Sequence, residues 1–342
     1  MRVELDARIG DPETVARLAL HAAERNAKVL VVRNLHRAAV ATAEALERLA
    51  PNHPTVFCCR GVPTLHHGRF AREDRELLDI EIEAQMKADR ARRGLILIGT
   101  QTLEQSLDIC ADLLITDLCP ADVLLQRIGR LHRHAHNPRP VGYEEARCIV
   151  LCPRHLAPLL DRGDFGLGGK HGPYRDLVVL EATRRMVHGT WRIPSMNRHV
   201  IEYATHPEAL DVLTASLAVV DPRWQKCRQD LDGNALADAQ IAASAKLPWS
   251  KTFNSDDLAF DARFGTRLGA QNLIVTLPDG VNGPFGTPIR SISIPGFWLG
   301  SILLEENISP QNVSVHKDGL RFTVQQEPFT YDRFGLRRLA AT

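Results

Sequence analysis

Leu95-Ile96-Leu97-Ile98-Gly99-Thr100-Gln101 is the stretch that decides the fold of this chain. An unbroken apolar run that stops at a glycine and turns polar reads as a strand buried on both faces, followed by a loop. The same pattern recurs outward from it, at Leu113–Thr116, Lys28–Val32 and Cys148–Leu151, and more weakly at Val56–Cys58. Between these runs the spacing turns helical. Asp11 is placed to cap a helix whose first position is Pro12, with Val15, Leu18 and Ala22 as its stripe. Leu35, Ala39, Thr42, Leu46 and Leu49 form a second stripe closed by Pro51, and Leu78, Ile82 and Met86 form the ridge of a charged helix over Arg72–Arg93. Strand and helix alternate from residue 11 to about 152, which predicts an α/β domain with a parallel sheet and helices on both faces. Ligands collect at the carboxyl ends of such strands. Gly99-Thr100-Gln101 and Asp117–Pro120 lie there.

The remainder has a different character. Asp161–Gly172 is a glycine-rich loop, and Tyr174–Val187, Ser195–Tyr203, Pro207–Leu217 and Leu231–Ala245 read as helices. Phe264–Leu277 and Arg290–Ile294 read as strands around the Gly/Pro-rich Pro278–Pro288, and Arg321–Val324 with Phe329–Tyr331 as a terminal hairpin. The expected division is a first domain at 1–152 and a mixed α+β accessory domain at 153–342.

Bulk properties exclude several classes. The chain has 342 residues, 44% hydrophobic and 24% charged, with net charge +1, so nucleic-acid binding has to come from local patches. No apolar run approaches the ~20 residues of a membrane span, so no membrane contact is expected. Seven scattered cysteines without a C-x-x-C indicate neither a zinc ribbon nor a disulfide framework and point to a reducing cytoplasm.

The local patch is Ala121–His134, which reads as one helix. Gln126, Arg130 and Arg133 fall at i, i+4 and i+7 on one face, with Val123, Leu124, Ile128 and Leu131 on another. No Asp or Glu lies between Asp122 and Glu144, so these cations call for an anion from elsewhere. His132, His134 and His136 alternate among arginines that would repel a metal ion, and no metal site is expected.

Two segments together carry a resemblance. Ile98–Ile109 (Ile-Gly-Thr-Gln-Thr-Leu-Glu-Gln-Ser-Leu-Asp-Ile) and Gln126-Arg127-x-Gly129-Arg130-x-x-Arg133 resemble motifs V and VI of superfamily 2 helicases, whose motor is a pair of RecA-like domains with ATP between them. With His66–Arg75 and Gly129–His134, the match is closest to the CRISPR-associated helicase-nuclease of type I interference systems. Val29–Asn34 stands in place of motif IV, and Phe264–Gly269 resembles part of that family's C-terminal domain. The resemblance implies that 1–152 is the second RecA-like motor domain. Arg130 and Arg133 are then arginine fingers on the γ-phosphate, Gln126 positions water or phosphate, and Asp108, Arg127 and Gly129 belong to the nucleotide site. Arg127 is structural or pairs with a carboxylate across the domain cleft. Thr100, Gln101, Arg33 and Asn34 are implied to touch the DNA backbone, with His67 and Arg69 as added phosphate contacts.

The departures are as informative. Gly169-Lys170 is followed by His171 and has Asp164 where the first glycine of a Walker A loop belongs, and neither an Asp-Glu-x-His box nor a His-Asp dipeptide occurs. The resemblance therefore implies half an ATP site. The P-loop and Mg2+ are expected from a missing first motor domain, and the cutting from an HD nuclease domain. DNA, in single-stranded or unwinding form, and an RNA-guided surveillance complex are the other implied partners. The chain alone is expected to hydrolyse little ATP. Competing readings are a fragment of another superfamily 2 helicase, or a non-catalytic module that binds nucleic acid or recruits a complex.

Overall fold

The computed structural model describes residues 1–86, 93–104, 107–134, 137–169, 172–244, 272–299, 310–316 and 319–339. These fall into two compact units, Met1–Gly68 with Glu73–Cys227, and Arg69–Arg72 with Arg228–Thr342.

The first unit begins with β1 (Arg2–Asp6), α1 (Pro12–Ala23), β2 (Lys28–Val32) and α2 (His36–Leu49). A small hairpin, β3 (Cys58–Cys59) and β4 (Val62–Pro63), precedes α3 (Arg72–Met86), β5 (Leu95–Gly99), β6 (Leu113–Asp117), α4 (Ala121–Ile128) and β7 (Arg147–Leu151). The five longer strands form one sheet in the order β1-β7-β6-β2-β5, parallel throughout. Every residue of β2, β5 and β6 is buried, as strands covered on both faces require. The expected RecA-like parallel sheet is thus present. α1 and α2 lie side by side and reach β2, β5 and β6. On α3, Leu78, Ile82 and Met86 supply the buried ridge. Asp11 caps α1 through Thr14, accepting its N–H at 2.9 Å and its hydroxyl at 2.6 Å.

Three features depart from expectation. β1 pairs with β7 at the sheet edge, although Arg2–Asp6 shows no continuous apolar run. The first unit also runs past 152 to Cys227, because α5 (Leu177–Met186) and α6 (Asn197–Thr205) pack against α4, and α7 (Pro207–Val220) against both. Most consequential, the helix expected over Ala121–His134 stops at Ile128. There Leu131 bridges to Ala111, with the Ala111 N–H donating to Arg130 O at 2.8 Å and the His132 N–H to Ala111 O at 3.0 Å. The left-handed φ of His132, 46°, completes the exit from the helix.

After α8 (Arg223–Ser244), the second unit contains a hairpin of β8 (Asn272–Thr276) and β9 (Ser291–Pro295). A four-stranded antiparallel sheet follows: β10 (Gln311–His316), β11 (Gly319–Val324), β12 (Glu327–Asp332) and β13 (Gly335–Arg338). The expected terminal hairpin is its centre. Phe322 stacks on Phe329, and Phe329 on Trp298, in the core of this unit. The expected C-terminal piece Phe264–Gly269 lies outside the described residues, as do Gln105, Ser106 and Trp249.

Candidate functional site

The carboxyl ends of β2, β5 and β6 meet in a buried polar network. Arg33, 2% exposed, follows β2 and donates from Nε to Asp117 Oδ1 at 2.9 Å, from Nη1 to Thr42 Oγ1 at 2.8 Å and from Nη2 to Ile9 O at 2.6 Å. Asp117, the last residue of β6, also accepts the Asn34 N–H at 2.8 Å. Asn34 donates its amide to Leu118 O at 2.8 Å and Phe165 O at 3.3 Å. Arg33 and Asn34, expected on the DNA backbone, are instead struts that lock β2 to β6, because every polar group of the Arg33 side chain already donates inward.

Arg127 sits at the centre of the network with no exposed surface. Its Nε and Nη2 reach Glu104 Oε1, each at 2.7 Å. Nη1 donates to Thr116 Oγ1 at 2.6 Å and Asp117 O at 3.0 Å, and Nη2 to Tyr174 OH at 3.0 Å and Asn34 Oδ1 at 3.3 Å. Of the two roles open to Arg127, the geometry supplies a structural one, with its carboxylate on the same unit. Burial raises the pKa of Glu104 and of Asp117, opposed by Arg127 and by Arg33 respectively. Gln101 flanks this network: its Nε2 donates to Asn34 O at 3.0 Å. Thr100 is buried and its N–H donates to His66 O at 3.1 Å.

The basic segment is a turn rather than a helix face. Gln126 is exposed in the last turn of α4, and Gly129 is exposed just beyond it. Arg130 donates to Leu107 O at 2.8 Å and Glu104 O at 2.6 Å, so it does not point at solvent. Arg133 is exposed and reaches the same Leu107 O at 3.4 Å. Two cations therefore converge on one carbonyl. The Arg130 Nε has no hydrogen-bond partner, and burial first, then Arg133, lowers the Arg130 pKa. The counter-charge is thin: Asp108, 43% exposed, stands 3.5 Å from Arg133 Nε and accepts from His134 Nε2 at 3.0 Å. Like charges held together beside a weak counter-charge leave a place for an added anion.

His67 and Arg69 do not join this site. His67 is 1% exposed, its ring edge-on to His36 with centroids 4.2 Å apart. Arg69 belongs to the second unit, where its guanidinium lies 4.3 Å over the Trp298 ring and burial pushes its pKa down to about 10. Sequence reasoning gave no role to Glu104, Thr116 or Tyr174, and placed Asp117 only at the carboxyl end of a buried strand. For Tyr174 there was no signal.

Comparison with known proteins agrees with this architecture. Residues 25–136 match the family model "CRISPR-associated nuclease/helicase Cas3, C-terminal". The chain is 47% identical over 113 residues to the CRISPR-associated nuclease/helicase Cas3 of Streptococcus thermophilus, covering 33% of this chain and 12% of that protein. The crystal structure of T. fusca Cas3 with ADP superposes at TM-score 0.68 and 20% identity, over 98% of this chain and 42% of that one. A chain of a CRISPR RNA-guided surveillance complex in the pre-nicking state gives TM-score 0.65 and 21% identity, over 98% of this chain and 44% of that one. The two structural likenesses establish the fold. The chain spans less than half the length of each of these three proteins.

Proposed function

We propose, from the premise that residues 25–136 are a Cas3-like C-terminal domain, that this chain is the second motor domain and C-terminal part of an ATP-dependent DNA helicase of CRISPR interference. The observation that carries the reading is the convergence of Arg130 and Arg133 on Leu107 O, with Arg130 Nε unpartnered and Asp108 the nearby counter-charge. Planar guanidinium groups so placed suit the charge that develops on a transferring phosphoryl group. ATP supplies that phosphoryl group, and Arg130, Arg133 and Gln126 are the residues that would face it. Asp108 orients Arg133. Arg127 and Glu104 act from beneath, fixing the loop whose carbonyls hold Arg130.

The sequence contains no Walker A loop and no Asp-Glu-x-His box, so the P-loop and the Mg2+ ligands come from a first motor domain. Thr100 and Gln101, at the carboxyl end of β5, face the DNA backbone in this reading. An RNA-guided surveillance complex is the recruiting partner and an HD nuclease domain the cutting one, in a cytoplasmic setting. Among the described residues no helix is long and apolar enough to cross a membrane.

Hydrolysis assays test the division of labour. The chain alone shows no helicase-like ATP turnover, and adding a first motor domain that carries a Walker A loop restores DNA-stimulated turnover. Helicase-like turnover by the purified chain alone overturns the reading.

A further inference from the structure

His134 is the middle histidine of the alternating set at 132, 134 and 136, and the function proposed above gives it no task. Its main chain is anchored to the sheet. The His134 carbonyl accepts from Arg139 Nη2 at 3.0 Å and from the Asn137 N–H at 3.3 Å. Arg139 in turn donates from Nη1 to Asp112 Oδ1 at 2.8 Å. Asp112 is buried, and its Oδ2 accepts the N–H of Lys28, the first residue of β2, at 2.7 Å. His134 therefore has a fixed footing, although it directly follows the turn that carries Arg130 and Arg133.

From that footing the ring reaches Asp108, with Nε2 3.0 Å from Oδ1. The same oxygen is the one that Arg133 Nε approaches at 3.5 Å. The shorter distance is an ordinary hydrogen bond and the longer one is not, so His134 rather than Arg133 sets the direction of the carboxylate. An ionised carboxylate only accepts, which places the imidazole proton on Nε2. The other contact of Arg133, with Leu107 O, is also long at 3.4 Å. Both of its partners thus belong to the pair Leu107-Asp108. The main chain of that pair is held by Arg130, which donates to Leu107 O at 2.8 Å, and by Glu83 Oε1, which accepts the Asp108 N–H at 3.3 Å. Its carboxylate is held by His134. A carboxylate already occupied by His134 directs the Arg133 guanidinium without closing a tight ion pair on it.

We infer that His134 is a positioning residue for Arg133: by holding Asp108 Oδ1 it keeps the Arg133 guanidinium aimed but uncaptured, free to meet a transferring phosphoryl group. That Arg133 meets a phosphoryl group rests on the function proposed above. The control of Arg133 by His134 through Asp108 does not.

Variants of the intact chain separate the two. The Arg133 Nε–H signal is identified in a nitrogen-15 spectrum by its loss in Arg133→Gln. In His134→Ala this signal moves, because Asp108 is released to close on Arg133. In His134→Gln, whose side-chain amide donates in place of the ring, it stays near its wild-type position. Steady-state ATP turnover is then measured with a first motor domain bearing a Walker A loop. His134→Ala lowers kcat about tenfold, the scale of one hydrogen bond to a charged group, with KM changed by less than about twofold, and His134→Gln recovers most of the loss. The pair Asp108→Asn with His134→Ala is no slower than Asp108→Asn alone, because both changes act on one carboxylate. An Arg133 signal that is unmoved in His134→Ala, or moved equally in His134→Gln, overturns the positioning role whatever the turnover. Additive losses in the pair overturn the claim that His134 acts through Asp108. A moved signal with turnover lost in Arg133→Gln but kept in His134→Ala overturns the claim that this placement serves hydrolysis. A moved signal with full turnover in Arg133→Gln upholds the placement and rejects the arginine-finger reading.

Discussion

Replacing Arg127 with methionine probes the network under the site most severely. Arg127 is wholly buried and holds Glu104 Oε1 with two nitrogens at 2.7 Å, while donating to Thr116, Asp117, Asn34 and Tyr174. Methionine fills much of the volume and none of the charge, leaving the Glu104 carboxylate, 7% exposed, without its partner. Breaking a buried pair from one side costs about 3–5 kcal/mol, most of it the penalty on the stranded charge. For a unit of this size each kcal/mol lowers Tm by roughly 2–4 °C, so the expected loss is about 6–20 °C. Thermal and urea unfolding followed by circular dichroism measure it. The added change Glu104→Gln should return roughly half of the loss, because the stranded charge is removed.

The pH dependence has a defined sign. Burial raises the Glu104 pKa above its usual 4.5 even against Arg127, and without Arg127 that opposition is gone. A carboxyl whose pKa is raised by folding binds protons preferentially in the folded state, so stability falls as pH rises through that elevated pKa. The deficit of Arg127→Met therefore shrinks as pH is lowered towards the usual carboxylate range. A Tm within about 2 °C of wild type, or a deficit blind to both Glu104→Gln and pH, refutes the reasoning.

Other sites make cheaper tests. Gly166→Ala forces a Cβ to 2.9 Å from Asn34 Cβ at φ +79° and should destabilise by more than about 2 kcal/mol in urea melts, whereas Gly61→Ala, at φ +80° with nothing within 4 Å, should cost only about 1 kcal/mol. Asp11→Ala removes the α1 cap and should cost about 1 kcal/mol. The Thr14 hydroxyl and N–H hold the Asp11 pKa below its usual 3.8, so the cap's contribution is present above that value and fades as pH falls through the lowered pKa. Unfolding midpoints of Asp11→Ala and wild type should therefore converge in acid.

How much of this was legible depended on whether the partner of each residue lay nearby in sequence. The strands at Lys28–Val32, Leu95–Gly99 and Leu113–Asp117 announced themselves because burial on both faces leaves an unbroken apolar run. β1 did not: Arg2–Asp6 alternates, with Val3 buried and Leu5 37% exposed, and takes its place through pairing with β7. The helix at 121–134 was overextended for the same kind of reason. Ile-Gly-Arg-Leu keeps a helical period, and nothing local reveals that Ala111 offers an N–H and a carbonyl to the chain leaving Ile128. In the sequence Arg33 reads as a DNA-backbone contact, and Arg127 as a structural residue or the partner of a carboxylate across a domain cleft. Their carboxylates, Asp117 and Glu104, stand 84 and 23 residues away in sequence, and only the fold shows that both pairs are closed within one unit.

Arg130 and Arg133 remain the centre of the account, and hydrolysis by the chain combined with a first motor domain bearing a Walker A loop tests them most directly. Single-turnover ATP hydrolysis should fall about a thousandfold or more in Arg133→Gln and in Arg130→Gln, the scale on which arginine fingers act, while single-stranded DNA binding is retained. Hydrolysis at the wild-type rate in both variants would contradict the claim and leave the chain as a non-catalytic module.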